Sequence, residues 1–217
     1  MKKSVDPRSA GDEEVERTTA PGEPPRRQRI LQAAERLFLH YGPAKTTIAD
    51  IARASGIGVG TVYLEFGSKE QLVEQLASEK SRIVADRMRA AATKAGPSAQ
   101  NRLRAALVAR IVALLDFKNE GLHGCDLARC MSSKTDFELG EEPRAVLREI
   151  VRDGAAAGQL DASDPEEVIG TIELAFGCLS PPFLYRFERQ VAEEKAARLA
   201  MVVVGGLNSR AGRPTRG

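Results

Sequence analysis

The segment 47–70, TIADIARASGIGVGTVYLEFGSKE, constrains the fold of this chain more than any other feature. It contains two short helix-forming runs that meet at Gly56, and a third run follows at once. Thr47 before the first run, with Asp50 three positions later, predicts a capping box at a helix start. Gly56 predicts a left-handed turn residue, a conformation that glycine adopts without a steric penalty. Two short helices around such a turn are typical of a helix-turn-helix unit, whose second helix lies in the major groove of DNA.

The predicted second helix has an exposed surface without the usual base-reading side chains. Ile57 and Val62 are the expected buried anchors, which leaves six exposed positions between residues 58 and 64. None of the six is Arg, Asn or Gln, the residues that contact one base through two hydrogen bonds. The exposed positions are Gly58, Val59, Gly60, Thr61, Tyr63 and Leu64. We therefore expect a surface better supplied for positioning the protein on DNA than for reading individual bases.

Several side chains in and around this segment are suited to a nucleic-acid duplex. Thr61 is suited to a base edge or a phosphate, and Val59 to a thymine methyl group. The Tyr63 hydroxyl and the ammonium group of Lys69, at the start of the third run, are suited to phosphates. Arg27 precedes the first predicted helix, where we expect it to reach phosphates or the minor groove.

The net charge of +2 conceals an uneven distribution along the chain. Residues 26–94 contain 12 basic and 7 acidic side chains, whereas residues 95–217 contain 16 and 17. Positive charge is therefore concentrated around the 47–70 segment, as phosphate binding requires. Arginine-rich solvated helices also produce such segregation, so charge alone does not decide the function.

Most of the chain has helical periodicity, and no segment alternates as a strand does. We expect an all-α protein of about nine helices. One helix start is especially well marked, with Asp164 as the cap, Pro165 in the first position and Glu167 completing a capping box. The expected parts are a disordered tail at 1–25, a three-helix helix-turn-helix domain at 26–72, a connecting helix at 68–94, a larger helical domain at 95–208 and a basic flexible tail at 209–217.

Residues 27–76 resemble the N-terminal domain of the TetR family of bacterial transcriptional regulators. The matching positions are Ile30, Ala33-Ala34, Leu37-Phe38, Gly42, Thr46-Thr47, Ile51-Ala52, Ser55-Gly56, Gly60-Thr61, Val62-Tyr63, Phe66, Ser68-Lys69-Glu70 and Leu72. The DNA-contacting positions that the resemblance implies are Thr47, Thr61, Tyr63 and Lys69. Gly58 and Leu64-Glu65 depart from the family pattern, in which Ser or Ala and aromatic or His residues are usual. These departures leave the operator preference open.

The resemblance also implies that residues 95–208 hold a ligand cavity and a dimer interface. Helices near 164–180 and 187–207 are expected to pair with their counterparts in a second copy as a four-helix bundle. Such a homodimer would place its two reading helices, the second helix of the helix-turn-helix unit in each copy, about 34 Å apart. This distance is one turn of DNA and suits a palindromic operator. The candidate cavity residues, which also serve as ordinary core residues, are Leu107, Ile111, Leu114, Phe117, Leu122, Met131, Phe137 and Phe176. An apolar lining favours a hydrophobic or aromatic effector.

The three cysteines, Cys125, Cys130 and Cys178, are too few for a disulfide framework and fit a reducing compartment. His123 with Cys125 and Cys130 matches no familiar zinc spacing, and we interpret these residues as packing residues, with no metal and no cofactor. A thiol-responsive or metal-responsive regulator remains the alternative. We find neither an apolar run of membrane-spanning length nor a signal peptide, and therefore expect a cytoplasmic protein without a membrane partner.

These observations favour a homodimeric transcriptional repressor that a small effector releases from its operator. An activator, or a repressor that needs a corepressor, is the nearest variant. An architectural DNA-binding protein without a small ligand is the alternative from a second class, and a filled, cavity-free second domain would point to it. An enzyme is not expected, because the chain has no Gly-rich phosphate loop, no H-E-x-x-H motif and only two histidines, His40 and His123.

Overall fold

The computed structural model describes residues 24–124, 126 and 140–207. Among these residues there are eight α-helices, two short 3-10 helices at Gly177–Leu179 and Phe183–Arg186, and no strand. The α-helices are α1 (Arg26–Tyr41), α2 (Ile48–Ser55), α3 (Val59–Phe66), α4 (Lys69–Lys94), α5 (Ala99–Lys118), α6 (Glu141–Ala156), α7 (Pro165–Phe176) and α8 (Arg189–Gly206). The prediction of an all-α fold is confirmed. The predicted tails, apart from residues 24 and 25, lie outside the described residues.

The helix starts follow the capping signals of the sequence. Ser98 accepts a hydrogen bond from the backbone N–H of Asn101 at the start of α5. Asp164 accepts hydrogen bonds from the N–H groups of Glu166 and Glu167, with Pro165 in the first position of α7. These side chains satisfy N–H groups that have no partner within the helix, and so fix where each helix begins.

The region between α7 and α8 differs from the prediction of two long helices at 164–180 and 187–207. α7 ends at Phe176, and α8 begins only at Arg189. Pro181 and Pro182 have no backbone N–H to donate and therefore interrupt the helical hydrogen bonding. Two single-turn 3-10 helices occupy the interval instead.

Helix α4 belongs to two hydrophobic cores. Its first turns place Leu72 and Leu76 in the core formed by α1, α2 and α3. Farther along, Val84 and Met88 enter the larger core, which α5, α6, α7 and α8 complete. The fully buried side chains of the N-terminal core include Ile30, Phe38 and Ile51. A single helix thus connects the N-terminal helices to the rest of the protein.

An ion-pair cluster joins the two cores halfway along α4. The Lys80 ammonium lies 2.7 Å from Glu35 Oε1 on α1 and 2.5 Å from Glu120 Oε2, just after α5. It also lies 4.8 Å from the centre of the Phe117 ring. Burial alone would lower the pKa of Lys80, but the hydrogen bonds to Glu120 and Glu35 outweigh it and raise that pKa. Lys80 therefore stays charged and holds α1 against the end of α5.

The stretch Pro165–Arg186 is long and apolar enough to cross a membrane by length and composition alone, because an 18-residue window within it has a mean hydropathy of 1.3. The expectation that no stretch of this kind exists was therefore wrong. In the folded protein, however, this stretch is α7 with its two 3-10 turns, and it buries Ile169, Ile172 and Phe176 in the larger core. One stretch of this kind is weak evidence for a membrane span.

Candidate nucleic-acid interface

The start of α2 is fixed by a reciprocal cap. The Thr47 hydroxyl accepts a hydrogen bond from the backbone N–H of Asp50 at 3.2 Å and donates to Asp50 Oδ2 at 2.6 Å. The Thr47 N–H also donates to Asp50 Oδ2, at 3.1 Å. The hydrogen bonds from Thr47 hold the pKa of Asp50 below its ordinary value. The predicted capping box is confirmed, and a role of Thr47 in DNA contact stays a prediction.

The turn between α2 and α3 requires glycine. Gly56 has φ 68° and ψ 28°, which is the left-handed conformation that the sequence predicted. A Cβ at this position would lie 3.3 Å from Arg29 Nη2. That same nitrogen donates to the Ser55 carbonyl at 2.8 Å and so satisfies the C-terminus of α2. Both the backbone angle and the neighbouring guanidinium therefore disfavour any larger residue here.

Helix α3 is held by one face and presents the other to solvent. Val62 and Phe66 are buried in the N-terminal core, and Ile57 packs against it. On the opposite face Val59 is 44% exposed, Tyr63 51% and Leu64 88%. A single exposed leucine is common on protein surfaces, so Leu64 alone does not define a contact surface. The structure thus leaves Val59, Tyr63 and Leu64, three of the predicted reading positions, exposed to solvent.

Two glycines leave the N-terminal part of this face without side-chain bulk. Gly58 caps α3 in an extended conformation, and Gly60 lies in the first turn of the helix. An added Cβ at Gly60 would have no heavy atom of the described chain within 4 Å. The backbone of α3 is therefore accessible at this position, and folding does not require the glycine.

The two cations predicted to contact DNA are both engaged within the protein. Arg27 donates to the Glu65 carbonyl at 2.7 Å and to Gln75 Oε1 at 3.2 Å, and its guanidinium lies 4.0 Å above the Phe66 ring. Lys69 Nζ donates to the carbonyl oxygens of Pro43 at 2.9 Å and Thr46 at 3.3 Å. These contacts brace α3 and α4 against α1 and the loop that follows it. A DNA contact by either residue stays a prediction.

Most of the candidate cavity residues that the structure describes lie in the larger core. Leu107, Ile111, Phe117 and Phe176 are buried there, and Leu114 packs against them. Leu122 lies outside this core, because it follows the end of α5 and is 83% exposed; a role in ligand binding stays a prediction. Met131 and Phe137 lie outside the described residues.

The sequence interpretation missed a group of buried polar side chains in this core. Arg110 on α5 is 7% exposed, and its Nη2 donates to Ser180 Oγ at 2.9 Å. Glu173 on α7 is 9% exposed and accepts hydrogen bonds from Arg144 Nη1 at both carboxylate oxygens, at 2.8 and 2.7 Å. Burial lowers the pKa of Arg110 to about 10, and the charge of Glu173 partly opposes this shift. The available signal was Arg110 itself, an arginine in the apolar stripe of Leu103 and Leu107.

The region of His123 has no metal-binding arrangement among the described residues, where no group of three or more His, Cys, Asp or Glu side chains converges. His123 Nδ1 lies 2.8 Å from Asp126 Oδ2, and its backbone N–H donates to the Leu39 carbonyl at 2.9 Å. Cys125 and Cys130 lie outside the described residues, and Cys178 is an exposed free cysteine.

The fold and this interface together define a helix-turn-helix protein with a larger helical second domain. Comparison with known proteins agrees with this class. Residues 30–76 match the sequence profile described as "Bacterial regulatory proteins, tetR family". The match identifies residues 30–76 as a domain of the TetR type.

The similarity to named relatives covers a short part of the chain. The chain is 46% identical over 50 residues to the transcriptional regulator TtgR of Pseudomonas putida, a match covering 23% of this chain and 24% of that protein. It is 54% identical over 44 residues to the transcriptional repressor Rv3405c of Mycobacterium tuberculosis, covering 20% and 23%. The chain thus spans about a quarter of the length of the curated relatives it matches.

Solved structures extend the likeness to the whole fold. A putative TetR-family regulator from Mesorhizobium loti aligns with 84% of this chain and 96% of its own length, at a TM-score of 0.65 and 19% identity. The protein RolR, solved in complex with resorcinol, aligns with 88% of this chain and 95% of its own length, at a TM-score of 0.56 and 19% identity. At these identities the agreement concerns the fold alone.

Proposed function

We propose that this protein is a homodimeric regulator of transcription that inserts α3 into the major groove of an operator. The observation that carries the proposal is the outward face of α3, which is fixed in angle by Val62 and Phe66 and exposes apolar and hydroxyl side chains. Thr61 and Tyr63 supply hydroxyl groups for base edges or phosphates, and Val59 and Leu64 supply apolar contacts of the kind that thymine methyl groups accept.

The glycines of α3 support a close approach to the duplex. Gly58 and Gly60 put no side chain between the helix backbone and DNA. The backbone N–H groups at the start of a helix are favourable partners for phosphates, because they are unpaired and carry the positive end of the helix dipole. Arg27 and Lys69 stand in this proposal as residues that hold α3 in place and add positive charge nearby.

A second copy of the chain is proposed to pack on α7 and α8. The outward side of α7 carries Gly170, Thr171 and Leu174, and Leu174 is 78% exposed. On α8 the exposed apolar side chains include Met201 at 61% and Val202 at 73%. Small and apolar residues on two neighbouring helices suit a self-complementary interface, and a two-fold axis would bring two reading helices onto one palindrome.

We propose that the regulator acts in the cytoplasm as a repressor and that a small, largely apolar effector releases it from DNA. Repression is favoured by the relatives that are named repressors, and effector binding by the RolR complex with resorcinol. Release requires that the effector favour a state of the dimer whose reading helices no longer match the operator spacing.

Selection of bound fragments from the genome tests this function and supplies the operator. Fluorescence anisotropy with that operator and with random DNA then separates the contacts. Thr61→Ala is expected to weaken binding to the operator more than binding to random DNA if Thr61 contacts a base. Tyr63→Phe, which removes only the hydroxyl, is expected to weaken both, with the loss of a single phosphate contact. Failure to enrich any fragment over genomic background would refute the function.

A further inference from the structure

We propose that the larger core contains the effector site and that Arg110 recognises a carboxylate on the effector. The inference rests on the proposed function and adds the chemical class of the ligand, a small organic acid with an apolar body. It starts from one side chain whose surroundings do not satisfy its hydrogen-bonding capacity.

The Arg110 guanidinium is buried and incompletely paired. It is 7% exposed, and its Nη2 donates to Ser180 Oγ at 2.9 Å. Its Nη1 is buried and has no hydrogen-bond partner among the described residues. A buried charged donor left unpaired is strongly unfavourable, so native proteins keep one mainly where function requires it.

The neighbouring carboxylate is already engaged by another arginine. Both oxygens of Glu173 accept hydrogen bonds from Arg144 Nη1. Arg144 also lies 3.2 Å from Glu166, and Glu166 lies 2.6 Å from Arg148 Nε. These pairs form a continuous network on α6 and α7, and the charge of Glu173 in this network also acts on Arg110.

The protonation state of Arg110 fits an anionic ligand. Burial lowers the pKa of Arg110 to about 10, which leaves the guanidinium charged at neutral pH. A charged donor in an apolar environment forms stronger hydrogen bonds with a carboxylate than with a neutral acceptor. A planar guanidinium also matches the two oxygens of a carboxylate, whereas a neutral amide offers only one acceptor.

The residues around Arg110 define the rest of the ligand. Leu107 and Leu114 lie on α5 one turn to either side of Arg110, and Phe176 lies one turn before Ser180. All three contribute to the larger core. A ligand that places its acid group at Arg110 and its remaining surface against these side chains would be mostly apolar, as the proposed effector is.

Isothermal titration calorimetry of the full-length protein tests the inference with matched probes. Octanoate and benzoate at millimolar concentration are compared with octanamide and benzamide, which have the same shape and no charge. We expect at least one acid to bind about 10- to 100-fold more tightly than its amide, the range expected for charge-assisted hydrogen bonds. Equal affinity for acid and amide, or no binding of either acid, would overturn the inference.

Two variants on the same helix locate the contact. Arg110→Met is expected to remove the preference for the acid over its amide. Arg102→Met is the matched control, because Arg102 also lies on α5 but pairs at the surface with Asp153 at 3.4 Å. An acid preference that survives in Arg110→Met, or disappears equally in the control, would assign recognition to another group.

Operator binding distinguishes a failure of this inference from a failure of the proposed function. Arg110→Met without ligand is expected to bind the selected operator as the wild type does, while the acid no longer releases it. If the wild type binds no operator but still prefers the acid, the regulatory function fails and the acid site stands. If it binds operator and ignores both acids, the acid site fails alone.

Discussion

Gly60→Ala gives a strong test of the interface, because it should change stability and DNA binding in opposite directions. Gly60 lies within the first turn of α3. An added Cβ there would meet no heavy atom of the described chain within 4 Å. The substitution therefore adds a methyl group to the outward face and leaves the packing of the free protein unchanged.

The stability change follows from helix propensity. Alanine is favoured over glycine in a helix interior by about 0.8–1.0 kcal/mol, and a first-turn position obtains about half of that or more. We expect the free energy of unfolding to rise by about 0.5–1 kcal/mol, which corresponds to a rise in Tm of about 1–4 °C in a protein of this size. Urea denaturation, followed by circular dichroism, measures this change in the free energy of unfolding.

The effect on binding follows from the close approach of α3 to the duplex. A methyl group between the helix backbone and DNA forces the helix outward, so operator affinity should fall about tenfold or more, as for the loss of one good contact. Anisotropy titration of the wild type and the variant at one salt concentration gives the ratio of their operator affinities.

Gly96→Ala is the matched control. Gly96 has φ 83°, and its added Cβ would likewise meet no heavy atom of the described chain. Because a non-glycine residue is strained in this conformation, this variant should lose about 1–2 kcal/mol of stability and keep its operator affinity. For Gly60→Ala, an unchanged operator affinity would show that this part of α3 does not face DNA. A loss of stability in the same variant would show that the added methyl group meets other atoms of the protein.

Four further substitutions test other features. Lys69→Ala should lower the unfolding free energy by about 1–2 kcal/mol, because two carbonyl groups lose a charged donor, and it should reduce the salt slope of operator binding by about one unit only if Lys69 also contacts a phosphate. Asp50→Asn should weaken the dependence of the unfolding free energy on pH at acid pH. The pKa of Asp50 is lowered in the folded protein, so the carboxylate stabilises the fold above its unfolded pKa of about 3.9. This stabilisation is lost as the pH falls through the folded pKa. Lys80→Met should lower the unfolding free energy by about 1–3 kcal/mol, between the ranges for exposed and buried pairs, as thermal denaturation would measure. Val202→Glu should yield a folded monomer by analytical ultracentrifugation, because the charge lies on the proposed dimer face, and a dimer that persists would move the interface elsewhere.

Local signals in the sequence were sufficient to place several helix starts and the turn between α2 and α3. The cap at Thr47, the left-handed Gly56 and the proline start of α7 each depend on residues within three or four positions of one another. The free energies of these caps and turns are set by local backbone geometry, which is the same in any helical protein. The buried face of α3 was predictable for the same reason, since Val62 and Phe66 are one helical turn apart.

The partners of the charged residues were not predictable from the sequence. The contacts of Lys69 with Pro43 and of Arg27 with Gln75 join residues 26 and 48 positions apart, so only the packed structure brings them together. Arg110 stands out in the sequence as an arginine in an apolar stripe, but its hydrogen bond to Ser180, 70 positions away, is visible only in the packed structure. The exposure of Leu122 was not predictable from its hydrophobicity, since single exposed leucines are common on protein surfaces.

The shared helix α4 determines how this protein can be divided and recombined with its relatives. A reading domain cut before Leu76 would lose a side chain that its own core buries. A chimaera that joins this reading domain to a foreign regulatory domain therefore has a narrow window, after Leu76 and before Val84, where α4 passes from one core to the other. Within that window Lys80 needs glutamates from both parents, one at position 35 and one at position 120. A chimaera of this chain thus keeps the ion-pair cluster only with a partner that supplies a compatible charge at this joint.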